Sequence, residues 1–131
     1  MESEVYGYKK LGIWTQAREL VIDIHRMTLS ALPKFELYEE GGQIRRSVKS
    51  VKSNIVEGFG RRRHKAEYIR YLDFAYASAL ETIDHLETLF ETGSLSDSDL
   101  YATLSPKVVQ LAKSISSFIR AVELHHNDNH P

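Results

Sequence analysis

The stretch that decides the fold lies near the middle of the chain, where residues 43–61 read QIRRSVKSVKSNIVEGFGR. Its apolar residues recur at intervals of four, three and four positions, which is the spacing of one face of an α-helix. They are Ile44, Val48, Val51 and Ile55. Gly58 and Gly60 follow, and glycine is a common residue at the C-terminal end of a helix. We therefore predict a helix from Tyr38 or Glu39 to Gly58.

Three further segments have the helical period, and none has the sustained alternation of a β-strand. The first is a helix of about 20 residues that ends before Pro33. The third begins near His64 and ends before Gly93. The fourth begins after Ser96, the expected cap, and we expect a kink or a break just before Pro106 because proline lacks an amide hydrogen.

Short links between long amphipathic helices favour antiparallel neighbours. The sequence therefore predicts an all-α fold, an antiparallel up-down-up-down four-helix bundle. We expect one domain over residues 1–131, with residues 1–8 and 125–131 as frayed tails. With 131 residues, 42% of them hydrophobic, the chain is large enough to bury a core, which excludes an intrinsically disordered protein. The absence of cysteine excludes disulfides, thiolate nucleophiles and cysteine-built metal sites.

No segment of the sequence resembles a signal peptide or a membrane span. The first residues, MESEVYGYKKLGIW, carry acidic side chains where a signal peptide is basic. No apolar run approaches the roughly 20 residues that a membrane span needs. We expect a soluble, cytoplasmic protein with no membrane partner.

The net charge of −1 conceals two opposed blocks of charge. Residues 41–70 hold nine Lys or Arg and two Glu, whereas residues 71–104 hold seven acidic residues and no Lys or Arg. Opposed fields of this kind either recruit a polyanion to one surface or pair copies of the chain head to tail.

The densest basic run, residues 61–65, lies at the predicted turn between the second and third helices. Three more cations precede it on one flank of the second helix, at 100° per residue. The predicted nucleic-acid-binding patch consists of Arg45, Lys49, Lys52, Arg61, Arg62, Arg63 and Lys65. It would bind structured RNA through phosphates, with an affinity that falls as salt rises. The alternative is an ordinary charged end of the bundle, neutralised by acidic residues of a neighbouring copy.

The opposite flank of the second helix is polar, at intervals of four, three, four and three positions. Its residues are Gln43, Ser47, Ser50, Asn54 and Glu57. On the third helix, Ser78, Glu81 and His85 fall together beside the apolar stripe. One interpretation is a solvated helix face. The other is a seam at which small hydroxyl side chains let another helix or another copy approach closely, with Gln43, Asn54 and Glu57 hydrogen-bonded there. On that view Glu81 is a partly buried, structural carboxylate that must find donors.

Signatures of catalysis and of metal binding are missing from the sequence. A di-iron bundle needs two Glu-x-x-His motifs, and only Glu123 and His126 have that spacing. The tail residues His125, His126, His130 and Asp128 suit at most a weakly bound transition metal. There is no Gly-x-Ser-x-Gly elbow and no P-loop. We expect no enzyme activity, no cofactor, no metal and no small-molecule substrate.

Residues that match a known family lie along the second helix, in the run Gln43–Ser47, then Ser50, then residues 53–61. They resemble the signature of bacterial four-helix-bundle proteins that are encoded within intervening sequences of 23S ribosomal RNA genes. The resemblance covers roughly residues 8–92. Its other matching positions are Leu11, Trp14, Ala17, the Pro33-x-x-Glu36-Leu37-Tyr38 turn, Tyr71, Leu72, Ala75, Ser78 and Glu81. The chain departs from the family pattern at Gly42, Lys52 and Ala77, where Leu, Pro and Gly are usual, and none of these changes disrupts the helix pattern.

This resemblance implies a small homo-oligomeric bundle, with a five-membered ring favoured, and a link to RNA. It implies no catalytic residues. Related bundles are accessory proteins of reverse transcriptases, so a nucleic-acid-processing protein is a second candidate partner. Two functions therefore stand: a binding module for RNA or a ribonucleoprotein, and a structural or protein-interaction bundle that binds no nucleic acid.

Overall fold

A computed structural model describes residues 2–125, with side chains from Glu4 onward, and this part of the chain contains helices and no strand. The four long helices are α1 (Gly12–Ser30), α2 (Glu40–Gly60), α3 (Lys65–Glu91) and α4 (Ser98–His125). Three short elements complete the described chain: a one-turn helix at Glu2–Val5 and 3-10 helices at Gly7–Lys10 and Lys34–Tyr38. The all-helical prediction is confirmed.

The helix ends lie within a few residues of the predicted ones. Gly93, after α3, has a φ of +83°, a left-handed conformation that glycine adopts without strain. The predicted cap of α4 at Ser96 is wrong by one residue. Asp97 is the cap, because its Oδ1 accepts a hydrogen bond of 3.0 Å from the backbone N–H of Leu100.

The break expected before Pro106 does not occur, because α4 continues through this residue. Pro106 lies in the third turn of α4. Because proline has no N–H, the carbonyl four residues earlier loses its hydrogen-bond donor. Both Pro106 and Ala102, which carries that carbonyl, are exposed. Water can therefore take the place of the lost donor, and the helix is not interrupted.

Of the residues expected to be frayed at the N-terminus, Gly7 and Tyr8 pack against the bundle. The ring of Tyr8 packs edge-on against Trp14, with 5.5 Å between the ring centroids. Gly7 lies so close to Phe59 of α2 that an added Cβ would sit 3.0 Å from the ring atom Cζ. Residues 126–131, with the proposed tail ligands His126, Asp128 and His130, lie outside the described residues.

The core forms where the apolar stripes of the four helices meet. Its largest fully buried side chains are Ile24, Ile44, Val48, Val51, Ile55, Leu72, Leu86, Leu89, Leu95, Val108, Leu111 and Ile115. Each long helix packs on the next one in the chain, and α1 also contacts α4. Within the described chain, no helix is long and apolar enough to cross a membrane.

Tyr68 makes the core sensitive to high pH. Its ring is 5% exposed and packs edge-on against Phe118, and burial raises the pKa of the Tyr68 phenol to about 12. An unfolded tyrosine releases its proton near pH 10. The stability that the neutral phenol contributes is therefore intact below about pH 10 and is lost between pH 10 and 12, by about 1.4 kcal/mol per pH unit.

We expect urea unfolding of the wild type to show this loss and the Tyr68→Phe variant to show much less of it, because phenylalanine has no proton to release. The measurement is the free energy of unfolding at pH 9, 10 and 11 at one protein concentration. Equal losses in the two proteins would assign the alkaline sensitivity to other groups.

Candidate nucleic-acid interface

Arg45 does not belong to the basic patch that was predicted from the sequence, although it lies on the same flank of α2 as Lys49 and Lys52. Its guanidinium donates one hydrogen bond of 2.9 Å to Oγ1 of Thr28 and another to the backbone carbonyl of Leu37. Arg45 also lies about 24 Å along α2 from Arg61, at 1.5 Å per residue. It joins α2 to the end of α1 and to the link that follows, which is a structural role.

Lys49 and Lys52 lie midway along α2, over the groove between α1 and α2. Lys49 is exposed. Lys52 is half-buried, with its ammonium group 5.7 Å from the centre of the Trp14 ring. Both line an open pocket with Val21, Ser53, Val56 and Glu57. Along α2 they precede Arg61 by about 18 Å and 14 Å, at 1.5 Å per residue, and Glu57 connects their pocket to Arg61.

Arg61 is held by carboxylates of its own end of the bundle. Its Nε donates a hydrogen bond of 2.8 Å to Glu57, and its Nη1 lies 3.5 Å from Glu67. Its guanidinium also lies over the ring of Tyr71, 4.9 Å from the ring centre. The hydrogen bond that Arg61 donates to Glu57 is the main cause that raises the pKa of Arg61. The side chain of Arg61 is therefore charged, but its charge is already paired with Glu57 and Glu67.

The positive charges of Arg62 and Arg63 are more accessible to a ligand than that of Arg61. Arg62 donates a hydrogen bond of 2.9 Å to the backbone carbonyl of Phe59 and stacks over the Phe59 ring at 3.9 Å. Arg63 is exposed, and the described part of the chain gives neither arginine an ion pair. Lys65 donates a hydrogen bond of 2.7 Å to the backbone carbonyl of Glu123 in α4.

The structure places two further cations at this end of the bundle that were not included in the patch predicted from the sequence. Lys9 and Lys10 are exposed in the 3-10 helix at Gly7–Lys10, which packs beside Phe59 through Gly7. We call the cluster at this end of the bundle the basic end. It consists of Lys9, Lys10, Arg61, Arg62, Arg63 and Lys65. Its two halves are separated by about 50 residues in the sequence, so only tertiary packing reveals that they are neighbours.

The polar flank of α2 divides into a buried part and an exposed part. The hydroxyls of Ser47 and Thr82 lie 2.8 Å apart, and those of Ser50 and Ser78 lie 2.9 Å apart, so small side chains join α2 to α3 within one chain. Asn54 supports this contact, because its Nδ2 donates to the carbonyl and the hydroxyl oxygen of Ser50. Thr82 was missed in the sequence, although it stands four positions after Ser78.

Glu81 is not the buried carboxylate that the sequence suggested. It is exposed, as are Gln43 and Glu57. The reason is geometric: the next residue, Thr82, points 100° away around α3 and occupies the contact with α2 instead. His85, which we grouped with Glu81, lies 3.0 Å from the carboxylate of Glu40.

The carboxylate that is buried is Glu36, in the link between α1 and α2. One of its oxygens accepts a hydrogen bond of 3.0 Å from the backbone N–H of Glu40, in the first turn of α2, and the other accepts from the hydroxyl of Ser94. Ser94 belongs to the link between α3 and α4, so this carboxylate joins the two links at the end of the bundle opposite the basic end. The described residues contain no group of three or more His, Asp or Glu able to hold a metal ion.

Four long helices with one cationic end define a small helical protein with a candidate site for anions. The family model described as 23S rRNA-intervening sequence protein matches residues 9–117, and the chain therefore belongs to this family. The resemblance inferred from the sequence is confirmed.

The chain is also similar to a crystal structure of a protein of unknown function from the S23 ribosomal protein family of Bacteroides thetaiotaomicron VPI-5482. The TM-score is 0.73 at 23% sequence identity, over 82% of this chain and 95% of the other. At this identity the likeness shows the fold alone. No curated protein matches the chain.

Proposed function

We propose that the protein binds structured RNA through its basic end, by contacts with phosphates and with little sequence preference. The observation that carries the proposal is the exposure of Lys9, Lys10, Arg62 and Arg63 together at one end of the bundle, without an ion pair in the described chain. Lysine and arginine are the residues that neutralise phosphates and release their counterions. No catalytic step, cofactor or small-molecule substrate belongs to this proposal.

A reversal of charge at the basic end tests the proposal. The variant changes Lys10, Arg62 and Arg63 to Glu and leaves the Arg61 ion pairs in place. We expect its affinity for a ribosomal RNA hairpin to fall about tenfold or more at low salt, because three phosphate contacts become repulsive. The measurement is fluorescence anisotropy of a labelled hairpin.

The matched control changes Arg18, Arg26 and Lys34 to Glu. These residues are exposed and lie outside the basic end, so the change in net charge is the same. We expect this control to bind nearly as well as the wild type. Equal losses in both variants would mean that only net charge matters, and no binding by the wild type at low salt would remove the RNA proposal.

We further propose that copies of the chain assemble into a ring, with five members favoured. The solvent face of α3 carries exposed carboxylates that are opposite in charge to the basic end. They are Asp73, Glu81, Asp84, Glu87 and Glu91. A ring would repeat the basic end in every copy, so weak contacts with one RNA would add through multivalency. Light scattering at micromolar concentration is expected to give about five times the 15.0 kDa of the chain. A monomer mass would overturn the assembly, and a dimer would overturn the ring.

Within each copy we infer that the helices run alternately up and down. Cross-helix contacts support this arrangement. In the contact of α2 with α3, Ser47 meets Thr82 whereas the later residue Ser50 meets the earlier residue Ser78. At the contact of α3 with α4, the first residue of α3, Lys65, reaches Glu123 near the end of α4.

The second candidate function is a protein-interaction bundle that binds no nucleic acid. The observation in its favour is that three large apolar side chains are exposed at the end opposite the basic end. They are Leu29, Phe35 and Tyr38, of which Tyr38 is 85% exposed. Large apolar side chains grouped on a surface are typical of protein contacts. Failure of the wild type to bind RNA at low salt would leave this function in its place.

A further inference from the structure

Two aromatic rings with a cation over each lie at the basic end. The ring of Tyr6 is 44% exposed, and the ammonium group of Lys9 lies 4.3 Å from its centre. The ring of Phe59 carries the guanidinium of Arg62 at 3.9 Å. Gly7 joins the two pairs, because it follows Tyr6 in the chain and touches the Phe59 ring. The basic end therefore presents the aromatic rings of Tyr6 and Phe59 and the planar guanidinium of Arg62, in addition to its positive charges.

Flat groups of this kind suit unpaired nucleotides better than a duplex. In a duplex the bases already stack on each other and present only their edges, whereas unpaired bases are free to stack on aromatic side chains and on guanidinium planes. Lys9, Lys10 and Arg63 are exposed cations of the same cluster, which suits the phosphates that flank a stacked base.

The backbone that follows Tyr6 is held in place before any ligand arrives. Gly7, which follows Tyr6 in the chain, is packed against Phe59, and the next residue, Tyr8, is packed against Trp14. Because this backbone is already ordered, less conformational entropy is lost when a base stacks on the Tyr6 ring, which favours binding. Tyr8 itself is half-buried against Trp14, so Tyr6 is the tyrosine of this segment that is open to a ligand.

We infer that Tyr6 is a stacking platform for an unpaired nucleotide, so that the basic end takes the single-stranded part of an RNA, such as a loop or a strand end. The inference rests on the proposed function and deepens it. Phosphate contacts supply binding to any RNA, and Tyr6 supplies the preference for unpaired bases.

The experiment compares two labelled probes, an oligouridylate of about 12 nucleotides and an RNA duplex of similar length. The protein variants are Tyr6→Ala and, as the matched control, Tyr6→Phe, which keeps an aromatic ring. We expect Tyr6→Ala to weaken binding of the oligouridylate about fivefold or more, since that is the effect of removing one stacking contact. Its binding of the duplex is expected to stay within about twofold of the wild type, and Tyr6→Phe is expected to bind both probes as the wild type does.

The outcomes separate the inference from the function on which it rests. If Tyr6→Ala binds both probes like the wild type, or weakens both equally, the stacking role is overturned while binding through phosphates stands. If Tyr6→Phe loses as much as Tyr6→Ala, the ring is not the group that binds. If the wild type binds neither probe at low salt, the proposed function fails, and the inference fails with it. Equal melting temperatures of the three proteins confirm that the segment remains folded.

Discussion

The Gly41→Ala variant is expected to lose about 3 kcal/mol of its free energy of unfolding. Gly41 is buried in the first turn of α2, where a Cβ would lie 2.4 Å from the backbone carbonyl oxygen of Glu36. The clashing atom belongs to the backbone, so no side-chain rotation relieves the contact. The link between α1 and α2 must move instead, and it carries Glu36 away from its partners.

Gly60→Ala is the matched control for this prediction. Gly60 is the last residue of α2, and an added Cβ there meets no atom within 4 Å. Because alanine is less flexible than glycine in the unfolded chain, we expect this variant to be as stable as the wild type or more stable by up to about 1 kcal/mol. Urea unfolding at one protein concentration compares the two variants. If Gly41→Ala unfolds at the same midpoint as the wild type, the close packing of the link on α2 is refuted.

Glu36→Ala is the second large effect that we expect, again about 3 kcal/mol. Glu36 is 5% exposed, and its removal leaves the partly buried N–H of Glu40 and the buried hydroxyl of Ser94 without their acceptor. Each unsatisfied buried donor costs about 1–3 kcal/mol. The first turn of α2 also loses a carboxylate at the positive end of its dipole.

Glu36→Gln separates these contributions. The amide oxygen can accept from Glu40, and the amide nitrogen can donate to the Ser94 hydroxyl, so this variant keeps the hydrogen bonds and loses the charge. We expect it to lose less than half as much stability as Glu36→Ala. A double-mutant cycle with Ser94→Ala measures the coupling between the two links. A coupling of zero would show that Glu36 and Ser94 do not stabilise each other.

The helices were predictable because their signals are local. The four-three spacing of Ile44, Val48, Val51 and Ile55 fixes a helix and its buried face within a dozen residues. Glycine at position 93 marks a helix end by its own conformational freedom. The cap of α4 was harder, because Ser96 and Asp97 are both good caps and the choice between them depends on a single hydrogen bond.

The polar contacts were less predictable because helical angle alone does not say which of two neighbouring residues is buried. Arg45 shares a flank with Lys49 and was assigned to the cationic patch, yet its long side chain reaches the carbonyl of Leu37. Lys9 and Lys10 were missed for the opposite reason, since their position beside Phe59 results from contacts across about 50 residues of sequence. Glu36 and Ser94 are likewise separated by 58 positions.

The dependence of RNA affinity on salt tests the central proposal, phosphate binding by the basic end, most directly. Four exposed cations predict that the logarithm of the association constant falls with the logarithm of salt concentration with a slope of about −3 to −4 per chain. The variant with Glu at positions 10, 62 and 63 is expected to have a slope shallower by about 2 to 3. A wild-type slope near zero, or the same slope in the wild type and the variant, would contradict phosphate binding at the basic end.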